Sequence, residues 1–177
     1  MEKCIISETK KGQASQIKCE NHVDLLLCDI KGLVHFELVP QGQAVNKQFD
    51  LEVLRRLHDD VRRKRPELWQ SGEWLLHQNN APTHTALSVR QFLTKNAMTT
   101  ASHPPYSPDL APCDFFPFPR MKRDLKQKCV QNVEEVSGKT TEALKAITLQ
   151  EFQNCFEQWK KRWDKCIDCQ GEYFEGD

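Results

Sequence analysis

Residues 75–84 read LLHQNNAPTH, two leucines that close an apolar run followed by eight residues of which seven are His, Gln, Asn, Pro or Thr. With the preceding Glu73 and Trp74 the stretch reads as a buried strand over 73–79 that stops at a polar turn. The edge has the layout of an active site. At its centre, however, stand two neutral amides, Asn79 and Asn80, between histidines at 77 and 84. A charge is missing where chemistry would want one.

Working outward, Ala86, Val89 and Leu93 stripe a helix from about 83 to 95, with Thr83 or Thr85 expected to cap it. A short strand is expected near 97–101. Upstream, Phe49, Val53, Leu54, Leu57 and Val61 share one helical face, while Arg55, Arg56, Arg62 and Arg63 point elsewhere and Pro66 follows the stop. Before that, LVHFELV (33–39) alternates, which puts Val34, Phe36 and Leu38 on one strand face and His35, Glu37 and Val39 on the other. The turn DIKG (29–32) joins it to LLLC as a hairpin between 23 and 39, and Asp29 reads as a turn residue bonding its own backbone. Toward the C-terminus Phe152, Cys155, Phe156, Trp159 and Trp163 form an amphipathic stripe, with core packing as the reading of the tryptophans. A hairpin followed by alternating helices and strands predicts a mixed α/β sheet.

The 177 residues suffice for one domain with a substantial core. Lys plus Arg equals Asp plus Glu, 25 each, so net charge gives no argument for nucleic acid. Local charge does: Arg62, Arg63, Lys64 and Arg65 form one basic run, and Arg120, Lys122, Arg123 and Lys126 form another, with Lys128 beyond. Either is a solvated face or a phosphate contact, and the second lies close in sequence to Asp114. Eight cysteines without a signal peptide or an apolar stretch near membrane-spanning length point to a reducing compartment and free thiols. Cys166 and Cys169 make a lone CxxC with no second pair, and read as incidental thiols. His77 and His84 lack the helical spacing of a metal pair, and hydrogen-bonding or capping roles are expected of them.

LLHQNNAPTHTALSVRQFLTKN, HPPYSPDLAPCDFFPFP, FQNCFEQWKKRWDKCI and GEYFEGD together resemble the C-terminal two thirds of mariner-family transposases, including the transposase half of the SETMAR histone methyltransferase fusions. The resemblance runs from about residue 25 to 177, and YSPDLAPCDF carries it most specifically. It implies a ribonuclease-H-like mixed sheet with flanking helices and a C-terminal amphipathic helix. It also implies a layout of an N-terminal remnant and shortened linker over 1–22, a catalytic core over 23–128 and a C-terminal helical region of the same domain over 129–177.

The family cuts and joins DNA strands with divalent metal, Mg²⁺ or Mn²⁺, held by three carboxylates. By the family pattern the second acid falls at Asn79, within HQNNA, and the third at Asp114, within PCDFF. The 34 residues between them (114 − 79 − 1) preserve the family spacing. These two positions are the candidate catalytic and metal residues.

The first acid belongs to a GDE motif followed by Trp, which occurs nowhere in this chain. SETKKGQASQIK (7–18) resembles the family segment just downstream of that motif, so Met1 is expected to begin just after the acid, leaving the fold incomplete at its N-terminus. KCIIS (3–7) is then expected to form a short strand parallel to EWLLHQ in place of the missing one.

Two hard cations clamping an in-line displacement want charged, bridging oxygens, and an amide carbonyl can neither bridge two cations nor offset their charge. Loss of roughly three orders of magnitude in rate, about 4 kcal/mol, is a modest expectation. Metal binding is therefore expected to be weak or absent, and transposition chemistry lost. A non-catalytic dimerising or DNA-binding module and a weak residual nuclease are the competing readings. The family's helix-turn-helix domains, and the linker that docks on a partner's YSPDLAP segment, have no counterpart here, nor does a SET segment. The implied partners are DNA, held weakly and without sequence specificity, and a second copy of the chain. No membrane or small-molecule cofactor is expected, and the implied location is the nucleus.

Overall fold

The computed structural model describes residues 4–9, 23–38, 46–78, 80, 84–126 and 133–171, with backbone alone for 4–9, 23–25, 126, 133, 134 and 136. Five strands form one sheet: β1 (Cys4–Thr9), β2 (Val23–Asp29), β3 (Gly32–Leu38), β4 (Trp74–His77) and β5 (Thr100–Ala101), in the order β3-β2-β1-β4-β5. The first three strands pair antiparallel, and β4 and β5 join parallel to β1. This is the expected ribonuclease-H-like mixed sheet. The segment KCIIS does supply the central strand: Cys4 to Ser7 pair in parallel register with Trp74 to His77, and Ser7 to Thr9 pair with Cys28 to Leu26 on the other side. Lys3 lies outside the described residues. The sheet therefore takes its centre from before residue 23.

The β2–β3 hairpin closes on a two-residue turn, Ile30–Lys31, with the positive φ of 109° carried by Gly32. A side chain there would be strained and would meet the Phe152 ring. Asp29 behaves as read, its Oδ1 accepting the Lys31 backbone N–H at 2.9 Å.

Strict alternation along β3 fails, however. Register shifts between Leu27 and Cys28, which pair with His35 and Leu33 and leave Val34 as the extra residue. After this bulge the faces exchange. Val34 packs in one core with Leu27 and Leu57, whereas Phe36 and Leu38 join Leu33 against the other.

Neighbouring Leu26 and Leu27 point to opposite faces and so define two layers. On the Leu27 face lie α1 (Lys47–Lys64), with Phe49, Val53, Leu54, Leu57 and Val61 all buried as their spacing required, and α3 (Leu87–Lys95), held by Val89 and Leu93. Each fully buried Leu or Val contributes about 1.5–3 kcal/mol. Asn46 caps α1, its Oδ1 accepting from the Gln48 and Phe49 N–H groups, each at 3.0 Å. Pro66 does more than stop this helix: it opens a short second one, α2 (Pro66–Ser71). The N-cap of α3 is Ala86, without a side-chain cap, so Thr85 does not take that place; Thr83 lies outside the described residues.

The Leu26 face carries α4 (Pro112–Phe115), α5 (Pro117–Lys126), α6 (Val133–Lys145) and α7 (Leu149–Asp168). In α7 the stripe buries Phe152, Cys155, Phe156 and Trp159, with Trp163 half-buried. A capping box starts the helix: the Thr148 hydroxyl accepts from the Glu151 N–H, and Glu151 Oε2 accepts from the Thr148 N–H at 2.8 Å. No helix among the described residues is long and apolar enough to cross a membrane.

Candidate functional site

Strand β4 ends at His77, and Asn79 itself lies outside the described residues. Around that end the structure gathers His77, Asn80 and His103. His77 Nε2 and His103 Nδ1 face each other at 3.1 Å, and the Asn80 side-chain amide donates to the His103 carbonyl at 2.8 Å. Burial, and secondarily the neighbouring His103, push His77 down to about 4. Burial also lowers His103, against a smaller opposing pull from Asp109. Both rings are therefore neutral near physiological pH, and one N–H···N bond joins them. The pair brings no positive charge to the site.

Asp114 sits half-buried in the first turn of α4, its N–H donating to the Ala111 carbonyl at 2.9 Å. Helix α4 lies against β1 and β2. The residue before Asp114 anchors it from beneath: Cys113 is fully buried, with Sγ 3.6 Å from Cys28 Sγ and 3.4 Å from the Leu26 carbonyl. Cys28 is raised well above the ordinary thiol range, first by its hydrogen bond with Cys113 and then by burial, and burial raises Cys155 to about 12. Cys28 and Cys155 are packing groups in their protonated form.

Helix α7 joins the two halves of the site. Trp159 packs its ring edge-on against His77, with centroids 5.3 Å apart, and donates Nε1–H to the Leu110 carbonyl at 2.7 Å. One turn earlier Cys155 Sγ lies 3.9 Å from the Pro112 carbonyl, and one turn later Arg162 Nη1 donates to the Asp109 carbonyl at 3.3 Å. Three side chains on one face of α7 thus hold the carbonyls leading into Asp114. Core packing was the sequence reading for Trp159, and its indole N–H adds a specific bond that periodicity does not encode.

His84, read as a hydrogen-bonding or capping residue, is fully buried with Nδ1 3.1 Å from Asp50 Oδ2 on α1. That ion-pair contact sets His84, just ahead of α3, against α1. Cys166 and Cys169 are half-buried and form no disulfide.

The two basic runs fall on opposite faces of the sheet. At the end of α1, Arg65 is taken up by buried Asp29, Lys64 bonds Asp60 and the Val34 carbonyl, and Arg63 pairs with Asp60. Arg62 stays exposed. On α5, in the layer that carries Asp114, Arg120 pairs with Asp124 and with Glu151, while Lys122 and Arg123 are exposed; the Lys126 side chain and Lys128 lie outside the described residues.

For a pair of hard divalent cations this donor set is unsuited. The resemblance would place the family's second acid at Asn79, an amide, and the nearest described imidazoles turn their facing nitrogens on each other. Among the described residues no three His, Cys, Asp or Glu side chains converge as a metal site.

The chain is 31% identical over 154 residues to the Mariner Mos1 transposase of Drosophila mauritiana, a match covering 85% of this chain and 45% of that protein. It is 28% identical over 145 residues to the human histone-lysine N-methyltransferase SETMAR, covering 81% of this chain and 21% of that protein. The chain thus spans less than half the length of either relative. No protein-family model matches it. Among solved structures, the catalytic domain of Mos1 mariner transposase superposes with a TM-score of 0.85 at 28% identity, covering 97% of this chain and 84% of that one. The same domain with raltegravir and Mn gives 0.86 at 28% identity, with the same coverage. A Mos1 mariner paired end complex with Mn gives 0.80 at 29%, covering 93% of this chain and 48% of that one. Divalent metal is thus a feature of the family's structures.

Proposed function

From its homology to the mariner transposases, whose catalytic domain it matches in fold, we propose that this chain is a transposase-derived nucleic-acid-binding domain in which DNA cleavage and strand transfer have been lost. The observation that carries the loss is the amide at position 79, where the family pattern places its second acid. A two-metal displacement draws its rate from carboxylates that hold and neutralise both cations, and Asp114 alone cannot do this. What remains is a sheet layer with exposed Lys122 and Arg123 on the same face as Asp114. Such groups hold phosphates by charge and release counterions on binding, without reading sequence. On the opposite layer exposed Arg62, beside an Arg63 already paired with Asp60, supplies a second, weaker surface. The Mos1 paired end complex supports a second copy of the chain as a further partner in this reading, and a role on genomic DNA would call for a nuclear location.

The test is a supercoiled-plasmid assay beside a DNA-binding titration. Purified chain with Mg²⁺ or Mn²⁺ leaves the plasmid intact, and metal-dependent nicking abolished by Asp114→Ala would overturn the proposal. In the titration, Lys122→Gln with Arg123→Gln lowers the slope of log affinity against log salt by about 1.8, two phosphates at about 0.9 each. A slope identical to that of the unsubstituted chain removes α5 from the interface.

A further inference from the structure

The half-buried arginines of the described chain are not treated alike. Arg65 and Arg120 are each matched by a carboxylate, Asp29 for the first, Asp124 and Glu151 for the second. Arg162 has none among the described residues. Its contacts are the neutral Asp109 carbonyl at 3.3 Å and the face of the Phe115 ring, 4.4 Å from the guanidinium carbon to the centroid. A guanidinium has five N–H donors in a planar fork, and among the described residues one carbonyl and one ring face engage only part of them and meet the charge with no carboxylate.

The position is as informative as the charge. Phe115 immediately follows Asp114, and Asp109 lies within the turn Pro108–Leu110 that precedes α4, so both contacts of Arg162 are to the segment bearing the family's third acid position. The ring contact holds the guanidinium carbon 4.4 Å from the Phe115 centroid, against this segment. Lys161 and Lys165 fall with Arg162 inside a helical arc of about 100°, and both are exposed. Lys160 points elsewhere and is paired with Glu157.

We propose that Arg162 is a backbone-phosphate contact, and that Lys161, Arg162 and Lys165 carry the nucleic-acid interface from α5 across to the C-terminal half of α7. This rests on the DNA-binding reading above and adds to it a second helix, with an arm that packs on Phe115, the residue after Asp114 in sequence. The ligand is a phosphodiester backbone, bound without sequence preference. Arginine suits the task because its planar fork can bind two oxygens of one phosphate while its face stays on the ring.

The test is fluorescence anisotropy with the full chain and a labelled random-sequence duplex across a series of KCl concentrations, with thermal melts of every variant. Arg162→Gln is expected to weaken binding several-fold and to reduce the salt slope by about 0.9. Arg162→Lys keeps the slope and binds with intermediate affinity, since the charge remains and the fork is lost. If Arg162→Gln melts early and keeps the full slope, Arg162 is only a strut and the proposal fails. If Arg162→Gln does not fold, Lys161→Gln on the exposed flank decides: a slope lowered by about 0.9 supports the strip, and an unchanged slope overturns it. Should the Lys122, Arg123 variant flatten the slope while Arg162→Gln does not, α7 is excluded and the α5 reading stands. Binding that ignores salt in the unsubstituted chain overturns both.

Discussion

Arg65 closes on Asp29 with two hydrogen bonds, Nε to Oδ2 at 2.6 Å and Nη2 to Oδ1 at 2.9 Å, across 36 positions of sequence. The carboxylate is fully buried and also holds the Lys31 N–H, so one aspartate fixes the hairpin turn and pins it to the junction of α1 and α2. Removing one partner of such a pair leaves the other charge buried and unmatched. Asp29→Ala is expected to cost about 3–5 kcal/mol in urea denaturation. Arg65→Lys falls between, because it keeps the charge and loses the fork. Near-native stability for Asp29→Ala would show that the turn holds by its own geometry.

His35 gives the fold a pH dependence of known sign. Its two nitrogens lie 2.9 Å from Asp60 Oδ2 and 2.9 Å from Glu37 Oε1. Burial works against the charged ring, but hydrogen bonds to Glu37 and Asp60 outweigh it and raise its pKa above the ordinary 6.5. The imidazolium is therefore favoured in the folded chain, and its stabilisation is complete below 6.5 and fades as pH rises through the raised folded value. Glu37 and Asp60 are held below their ordinary values and lose their contribution only in acid. The stability gap between the unsubstituted chain and His35→Gln should shrink on going from about pH 6 to about pH 8. A gap that widens over that interval would reverse the assignment.

Trp159→Phe separates an indole's hydrogen bond from its packing. Phenylalanine keeps a ring against His77 but leaves the Leu110 carbonyl without its donor, at an expected cost of about 1–3 kcal/mol. Trp159→Ala also opens a cavity and should cost about 3–5 kcal/mol. Equal stability of the Phe variant and the parent in equilibrium unfolding would mean that the N–H bond contributes nothing.

The described thiols should alkylate in a fixed order. Thiolate is the reactive form, and Cys28, Cys113 and Cys155 are buried, with Cys28 and Cys155 raised above the ordinary range. Cys166 and Cys169 are half-buried near the end of α7. Site-resolved mass spectrometry after brief iodoacetamide treatment should find Cys166 and Cys169 modified first. Early labelling of Cys113 would require α4 to open from the sheet.

What the sequence determined by itself was local and periodic. The helical face of Phe49 to Val61, the stripe of α7, the DIKG hairpin and a strand within 73–79, observed as Trp74–His77, follow from spacings of two, three and four residues, which fix which side chains share a face wherever the chain is placed. YSPDLAPCDF carried the family resemblance, and the fold it implies, with Ile5 and Ile6 supplying strand propensity, nominated residues 3–7 as a central strand.

Only the tertiary structure decided what those faces meet. The bulge at Val34 sends Phe36 and Leu38 to the opposite layer from the one alternation assigns, because pairing with β2 rather than β3's own pattern sets the register. Two basic runs that look equivalent in sequence are separated by the sheet, and ion pairs occupy Arg63, Lys64 and Arg65 while Lys122 and Arg123 stay exposed. A charge is committed or left open by carboxylates brought near it by the closing of layers, some of them, such as Asp29, distant in sequence. That information resides in the packing of the whole chain, and Arg162, set on the Phe115 ring with no carboxylate paired to it among the described residues, is where it bears on function.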